Sequence, residues 1–371
     1  MAGRTPQERE ALNQTGTQVL AHFTAAGFQH IAPDILQPAD VFLDRSGEEI
    51  RARSFVFTDP SGAELCLRPD LTVPACRYHL THAARADQES RYCYWGPAFR
   101  FDPETNKADE FDQAGLEWFA AADAQESEAQ VLALAVEAIE AAGVADFTIR
   151  IGDLGLFSSL LDSIAMPARW RRRLAHQFWR PKAFHELLLQ LTGSKTRAPT
   201  AISPLIDALG DGDAESFVET VLARDGLPLV GGRSIAEIAG RLSEKAKDRT
   251  ATPLSQAAAA RMDAYLAIAG TPQSCAEKIA KLGLDVTVFN RRLDLLKQRG
   301  IAPSRLQFSA VFGRSLEYYT GLVFQIETAD GTQLAGGGRY DRLLQDIGSP
   351  VPVPAVGLAV HTEKLTAARK A

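Results

Sequence analysis

The stretch SRYCYWGPAFRFDPETNKADEFDQAGLEWFAA, residues 90–121, carries the clearest indication of the fold. Residues 90–101 are aromatic and strand-like, and 113–121 has the character of an antiparallel neighbour. Gln113 and Glu117 lie an even number of residues apart, so both side chains face the same side of a sheet. The stretch therefore predicts a strand pair that carries polar groups on one face.

The composition is that of an ordinary soluble globular protein. The 371 residues are 46% hydrophobic and 23% charged, with a net charge of −6, and the pI is near 5.7, so no global positive field favours nucleic acid. The N-terminal MAGRTPQERE has no secretory hydrophobic region, and no apolar run approaches the roughly 18 residues of a membrane span. The cysteines (Cys66, Cys76, Cys93 and Cys275) form no CxxC pair, which predicts reduced thiols and a cytoplasmic location.

Two strand-rich parts of the chain flank a helical block. Strands are predicted before residue 160 and again after 305, whereas the block between them has Ala, Leu, Arg and Glu at helical spacing. Helix starts are predicted at the capping-box pairs Asp123/Glu126, Ser234/Glu237 and Ser274/Glu277. The fold prediction is α+β, an antiparallel sheet flanked by helices and split by a helical insertion. Its parts are a core at 1–159, the insertion at 160–284 and the rest of the core at 285–371.

Several common catalytic motifs are absent. GGGRYD, 336–341, lacks the Lys-Ser/Thr of a Walker A loop, and no GxGxxG follows a strand. His185-Glu186 begins like a zinc protease motif, but Leu189 stands where the second ligand would be. Segment 313–317 ends in glutamate instead of the glycine of a nucleophile elbow. We therefore expect no catalytic residue of these types, no metal and no cofactor.

Four polar groups lie on predicted strands or at their ends. Each alone is explained by a turn or a solvated sheet face, but all four belong to one predicted sheet, which favours a common site. The groups are Arg68–Thr72, Arg100 with Gln113 and Glu117, Arg314–Tyr319, and Gly336–Asp341. The three glycines of the last group indicate a close approach to the backbone. A phosphate, a small ligand and a tight turn all remain open as its cause.

In this order the groups resemble motifs of the class II histidyl-tRNA synthetases. RPDLT, 68–72, is similar to their RPEGT-type segment, and WGPAFRF…EFDQAGLEWF is similar to motif 2. GRSLEYYTGLVFQ resembles the RGLDYYxxxVFE segment, AGGGRYDRLL resembles AGGRYDxL, and VPAVGLAVHTEKL occupies the place of motif 3. The resemblance covers about 1–150 and 305–366 and implies a class II synthetase-like fold.

The resemblance also implies a pocket for free histidine. Asp70, Thr72 and Gln113 match the positions that receive the ammonium, where acceptor oxygens suit a cation. Arg314 matches the arginine beside the carboxylate, which a planar guanidinium binds through two hydrogen bonds.

The remaining candidates surround the imidazole and the backbone glycines. Glu117 and Tyr319 match the imidazole partners, and Tyr340 is expected beside the pocket, with the glycines as its floor. Arg100 matches the motif 2 arginine that touches the α-phosphate, although pairing with Asp102 or Glu117 is an alternative. The candidate histidine-binding residues are Asp70, Thr72, Arg100, Gln113, Glu117, Arg314, Tyr318, Tyr319 and Tyr340.

Three departures from the synthetase pattern argue against aminoacylation. Motif 3 reads His361-Thr-Glu-Lys364 instead of GLER, so the planar arginine that packs on ATP is replaced. The motif 2 loop, 102–112, is acidic and repels phosphates. The sequence ends seven residues after Lys364, so we expect no anticodon-binding domain.

This combination resembles the regulatory subunits of ATP phosphoribosyltransferase, a family of synthetase paralogues. The resemblance implies a non-catalytic chain that forms dimers and joins a short-form catalytic subunit in the first step of L-histidine biosynthesis. It also implies free L-histidine as the feedback inhibitor. A divergent active histidyl-tRNA synthetase and another amino-acid ligase are the alternatives.

The basic stretch 167–182 has two tryptophans. Its pattern fits a solvated helix face with buried aromatics, an RNA contact or a protein interface, and of the two contacts the protein interface is favoured.

Overall fold

The computed structural model describes residues 3–43, 53–102, 107–178, 180–194, 203–209, 212–225, 234–313 and 318–369. By contact the chain separates into two units, Met1–Ser159 with Tyr265–Ala371, and Leu160–Ala264. The smaller unit is shorter than the proposed insertion of 160–284, because Ala269–Gly270 pairs with a strand of the larger unit.

A nine-stranded sheet dominates the larger unit. The strands of this unit are β1 Gln29–His30, β2 Leu36–Pro38, β3 Val56–Thr58, β4 Glu64–Leu67, β5 Ser90–Asp102, β6 Lys107–Phe119, β7 Thr148–Asp153, β8 Ala269–Gly270, β9 Leu306–Ser309, β10 Leu322–Glu327, β11 Gln333–Arg339 and β12 Ala355–His361. The large sheet has the order β1-β5-β6-β12-β11-β10-β7-β9-β8. Its neighbours are antiparallel except for β1 with β5 and β7 with β9, which confirms the predicted α+β sheet.

Some of the described helices begin at a residue whose side chain caps them, and others begin without such a cap. The helices are α1 Pro6–Ala25, α2 Ala39–Leu43, α3 Thr72–His82, α4 Ala124–Ala141, α5 Leu154–Asp162, α6 Ala168–Gln177, α7 Pro181–Leu191, α8 Ser203–Leu209, α9 Ala214–Asp225, α10 Ile235–Thr250, α11 Gln256–Leu266, α12 Pro272–Lys281, α13 Thr287–Gln298, α14 Leu343–Asp346 and α15 Thr362–Ala368. Asp123 and Ser234 cap α4 and α10 as predicted. The cap predicted at Ser274 is wrong, because Pro272, with its fixed φ, begins α12 two residues earlier.

The long hairpin of β5 and β6 is the predicted strand pair, with β6 beginning at Lys107, earlier than predicted. Helices α1 and α4 pack against the sheet through apolar residues such as Val19, Phe23 and Leu132, each at most 1% exposed. One face of the sheet is therefore covered by helices, and the other is available for a site.

The strands β2, β4 and β3, which fall between β1 and β5 along the chain, form a separate small antiparallel sheet. This small sheet has an exposed apolar surface. Leu36 pairs with Leu67, and Phe57 pairs with Leu65, so these side chains share a face. Leu36 is 50% exposed and Phe57 is 40% exposed. Large side chains with such exposure are unusual on a sheet face unless another surface covers them.

The basic stretch at 167–182 forms α6 and the start of α7. Trp170 and Leu174 are buried, and Arg169 and Arg173 lie within ion-pair distance of Asp248. A helix with buried aromatics and paired arginines fits the solvated-face interpretation. Trp179 lies outside the described residues.

None of the helices that the structure describes is long and apolar enough to cross a membrane.

Candidate functional site

A cavity of about 520 Å³ lies on the large sheet. Eight of the nine candidate residues line it, and Arg314 lies outside the described residues. The eight are Asp70, Thr72, Arg100, Gln113, Glu117, Tyr318, Tyr319 and Tyr340. The structure thus brings together residues that are separated by up to 270 positions in the sequence, while their role in binding histidine stays a prediction.

Strand register places Glu117 on the floor of this cavity. Glu117 of β6 pairs with Gly357 of β12, which pairs with Gly338 of β11. A Cβ on Gly357 would lie 1.7 Å from Glu117 Oε2. Only a glycine at 357 leaves room for the carboxylate in its observed position.

The glycine run of β11 has two structural causes. Gly336 and Gly337 line the cavity, as expected for a floor. A Cβ on Gly338, however, would lie 2.5 Å from the carbonyl oxygen of Leu322, and one on Gly337 would lie 2.3 Å from that of Gly357. The run therefore also permits close packing with β10 and β12.

Glu117 is fully buried, and two phenols donate hydrogen bonds to it. Tyr94 donates to Oε1 at 2.8 Å, and Tyr340 donates to Oε2. The Thr72 side chain also acts to lower the pKa of Glu117. Burial raises the pKa of Glu117 to about 7, although these hydrogen bonds oppose the shift. The inner end of the cavity thus holds a carboxylate with no arginine or lysine paired to it among the described side chains.

Tyr318 and Tyr319 form the wall beside Glu117. Their ring centroids are 4.8 Å apart, with the ring planes inclined at 58°. Tyr318 also packs edge-on against Tyr340, with centroids 5.8 Å apart. Burial raises the pKa of Tyr318, Tyr319 and Tyr340. These three phenols are therefore neutral at physiological pH.

The start of α3 supplies the second carboxylate. Asp70 Oδ1 accepts from the Val73 N–H at 3.2 Å, and Gln113 Oε1 accepts from the Leu71 N–H at 3.1 Å. Burial raises the pKa of Asp70, while Arg100 and the backbone N–H groups oppose this. Asp70, Thr72 and Gln113 are thereby held together as a group of oxygen acceptors.

The outer end of the cavity has a different chemistry. Arg100 Nε donates to the Pro69 carbonyl at 2.7 Å, and its guanidinium lies 5.1 Å from the Phe111 ring centroid. The His361 ring centroid is 5.7 Å from that of Phe111. Burial lowers the pKa of His361 to about 3, and Lys364 and Arg100 act in the same direction. His361 is therefore neutral.

One alternative for Arg100 is wrong. Glu117 accepts hydrogen bonds from Tyr94 and Tyr340, whereas Arg100 Nε donates to the Pro69 carbonyl, and the described side chains include no ion pair between Arg100 and Glu117. The side chain of Asp102 lies outside the described residues, so that pairing stays a prediction.

Sequence reasoning missed Tyr94 and Gly357, and it noted His361 only as a departure from motif 3. Tyr94 pairs with Gly115 across the hairpin, and a Cβ on Gly115 would lie 2.6 Å from its hydroxyl. The signal was present, because Gly115 lies between two polar residues on the same face, but the partner strand register was needed to use it.

The chemistry of the lining fits a small zwitterion with a polar ring. It does not point to a metal, since the described residues contain no group of three His, Cys, Asp or Glu side chains that could hold one. Together with the antiparallel sheet, this cavity defines a protein of the class II aminoacyl-tRNA synthetase type.

The comparisons with known proteins agree with that class. The family model described as histidyl-tRNA synthetase matches residues 1–226 and 229–365. The ATP phosphoribosyltransferase regulatory subunits of Brucella canis and Brucella suis are each 37% identical over 348 residues, covering 90% of this chain and 91% of theirs. The chain therefore belongs to the histidyl-tRNA synthetase family, in the branch of the ATP phosphoribosyltransferase regulatory subunits.

Solved structures confirm the fold. An ATP phosphoribosyltransferase regulatory subunit/histidyl-tRNA synthetase from Bacillus halodurans aligns with a TM-score of 0.68 at 20% identity, covering 99% of this chain and 81% of that chain. A histidine–tRNA ligase subunit from Alicyclobacillus acidocaldarius aligns with a TM-score of 0.63 at 25% identity, covering 100% of this chain and 96% of that chain.

Proposed function

We propose that this chain is a non-catalytic regulatory subunit that joins a separate ATP phosphoribosyltransferase catalytic subunit in the first step of L-histidine biosynthesis. Free L-histidine binds in the cavity and inhibits the assembly as feedback. The observation that supports this most is the buried carboxylate Glu117, set between phenols in a chain whose curated relatives are named regulatory subunits.

The cavity offers a partner for each polar group of histidine. Glu117 and Tyr319 take the two imidazole nitrogens, and the acceptors at Asp70, Thr72 and Gln113 take the ammonium. Arg314, by its place in the sequence motif, takes the carboxylate. Binding then controls the partner only if histidine prefers one state of the assembly, because equal affinity for both states shifts neither.

The outer end supports the absence of aminoacylation. A neutral His361 stands beside Arg100 and Phe111, and Lys364 replaces the stacking arginine of motif 3. Glu363 of the same helix start is engaged by Arg4 and by the Asp112 N–H at 3.3 Å. The start of α15, which occupies the place of motif 3, is therefore in contact with Arg4 of the N-terminal segment and with β6.

An active histidyl-tRNA synthetase or another amino-acid ligase is the second candidate. Arg100 favours it, because this guanidinium lines the cavity where the synthetase resemblance places an α-phosphate contact. Both enzymes form an adenylate, so histidine-dependent pyrophosphate exchange tests them together. We expect no exchange above that of a sample without histidine, and clear exchange would favour a ligase.

Titration calorimetry with L-histidine tests the regulatory role, on the chain alone and mixed with its catalytic partner. We expect heat with L-histidine and none with D-histidine, since the D-form cannot satisfy the ammonium and imidazole sites together. We also expect purified catalytic subunit to gain phosphoribosyltransferase activity with this chain and to lose it on addition of histidine. Absence of heat in both samples would refute the assignment of this cavity to histidine.

A dimer is part of the proposal, and the apolar face of the small sheet supports it. A second copy would bury Leu36 and Phe57, which are exposed here. Light scattering should find a dimer for the wild type and a monomer for Phe57→Glu. Val288, 49% exposed on α13, provides the control, and Val288→Glu should stay dimeric. If Phe57→Glu is still a dimer, the apolar face of the small sheet is not the dimer interface.

The cytoplasm is the proposed location. The four cysteines are buried and free, which fits a reducing compartment. Co-purification from the source cell should recover a phosphoribosyltransferase with this chain.

A further inference from the structure

A buried ion cluster joins three elements on the side of the sheet that faces α4. Arg292 of α13 donates from Nε to Glu128 Oε2 of α4 and from Nη1 to Asp153 Oδ2 at the end of β7, each at 2.6 Å. The three side chains are at most 6% exposed. Buried charges of this kind persist only when their geometry satisfies them, so the cluster fixes α4 and α13 to β7.

One oxygen of the cluster remains without a hydrogen bond. Glu128 Oε1 is buried and has no hydrogen-bond partner among the residues that the structure describes. Arg339 Nη1, at the end of β11, lies 3.9 Å away, which is within ion-pair range but too long for a hydrogen bond. Arg339 is thus placed next to an acceptor that it does not reach.

Arg339 is at the same time part of the backbone that holds the cavity tyrosines. Its Nε donates to Asp341 Oδ2 at 2.9 Å, and its carbonyl accepts from the Thr320 N–H at 2.7 Å. The Asp341 N–H donates to Thr320 Oγ1 at 3.0 Å. Tyr340 lies between Arg339 and Asp341, and Tyr319 directly precedes Thr320. The same three residues therefore fix both tyrosines.

Alternation along β11 separates the two roles. Gly338 is in register with Gly357 and Glu117 on the cavity face, so the Arg339 side chain points to the opposite face, towards α4. Gly321 leaves space for it, because a Cβ there would lie 3.1 Å from Arg339 Cδ. One residue thus contacts the cavity through its backbone and the ion cluster through its side chain.

We propose that Arg339 is a positioning residue that couples the cavity tyrosines to the buried ion cluster, by sharing its guanidinium between Asp341 and Glu128. A displacement of about 1 Å would bring Nη1 within hydrogen-bond distance of Glu128 Oε1. A small movement at Tyr340 then changes which carboxylate the guanidinium binds. The inference rests on the proposed function only in taking histidine as the ligand that moves Tyr340.

The cluster carries such a change to the start of α5. Asp153 Oδ1 accepts from the Gly155 N–H at 2.8 Å and from the Leu156 N–H at 3.3 Å, and the Leu154 N–H donates to the Gly321 carbonyl at 3.0 Å. The first turn of α5 is therefore held both by the cluster and by the segment that follows Tyr319. Coupling between two sites can be carried by ion-pair networks and rigid elements of this kind when they have two discrete arrangements.

A double-mutant cycle in the full-length chain tests the coupling, with histidine affinity measured by calorimetry. Arg339→Gln and Glu128→Gln should each weaken histidine about tenfold, and the double variant should be about as weak as either single one. The matched control is Arg299→Gln, which breaks an ion pair with Glu126 on the same helix α4. It should change the affinity less than about twofold.

Amide hydrogen exchange without histidine supplies a second readout. Arg339→Gln should speed exchange at Tyr340 and at Leu156 together, whereas Arg299→Gln should leave both unchanged. If Arg339→Gln does not fold, Arg339→Lys replaces it, because lysine keeps the charge but lacks the planar guanidinium that can bind two carboxylates. The same outcomes are expected for this variant.

Unchanged or fully additive affinities in folded variants would overturn the coupling, as would faster exchange at only one of the two amides. A wild type that gives no heat with histidine contradicts the proposed function instead, and the exchange experiment then decides the coupling by itself.

Discussion

The two ends of the cavity differ in both charge and construction. At the inner end a fully buried carboxylate, Glu117, accepts hydrogen bonds from Tyr94 and Tyr340. At the outer end Arg100 and a neutral His361 lie against Phe111. The inner end matches the residues that the synthetase resemblance implies for histidine, whereas the outer end departs from the pattern for ATP.

This difference shows which part of the scaffold is hard to change. The inner end is built into paired strands, where Glu117 needs glycine at 357 and Tyr94 needs glycine at 115. The outer-end residues Arg100, Phe111 and His361 also stand on paired strands, but none of them is among the nearest contacts of a Cβ added at a described glycine. A substitution at the outer end therefore does not have to be matched by a glycine on a neighbouring strand.

The largest effect is expected from adding a methyl group at the inner end. Gly357→Ala would place a Cβ 1.7 Å from Glu117 Oε2 and 2.8 Å from the Leu116 carbonyl, and we expect a loss of about 3 kcal/mol in unfolding free energy. Denaturant titration measures it. Gly336→Ala is the control, because its closest neighbour is the flexible end of Gln333. Equal losses in both variants would remove the special role of the inner end.

The next effect is a pH dependence of stability that belongs to Glu117. Burial raises its pKa from 4.5 to about 7, so the native state binds more protons than the unfolded state between these values. The Glu117 contribution to stability therefore falls as the pH rises through this window, by roughly 3 kcal/mol. Glu117→Gln lacks this titration, so its unfolding free energy should rise relative to that of the wild type between pH 4.5 and 7.5. Parallel stability curves would show that the carboxylate is not buried as described.

Histidine affinity should respond to the same substitution. Glu117→Gln removes the carboxylate but keeps the shape, so we expect binding about a hundredfold weaker while the protein stays folded at pH 7. Calorimetry and thermal unfolding give the two quantities. Leu358 lines the same cavity without polar groups, and Leu358→Met should keep the affinity within about threefold. If folded Glu117→Gln binds histidine with wild-type affinity, the imidazole does not bind at Glu117.

The smallest effect is expected at the outer end. His361→Gln replaces one neutral polar side chain by another, since the pKa of His361 is lowered to about 3. Histidine affinity should change less than about twofold between pH 6 and 8. A tenfold loss would mean that histidine reaches the outer end, and the contrast between the two ends would fail.

Much of the site was readable from the sequence. The alternation of Gln113 and Glu117, the RPDLT and GGGRYD segments and the order of the motifs suffice to collect eight residues that the structure finds in one cavity. The residues that were missed or misplaced share one property: they depend on a partner strand. Tyr94, Gly357 and the pairing of Arg100 are fixed by register and by packing across strands, which no local pattern encodes.

The sequence alone determined the strand and helix types, the α+β class and the identity of the polar groups, because these follow from short-range periodicity, capping and turn chemistry. Only the tertiary structure decided that Glu117 lies between two phenols, that Gly357 makes room for it, and that Arg339 faces an ion cluster behind the cavity. Those contacts join residues that are distant in the chain, and their distances follow from strand order and side-chain packing in three dimensions.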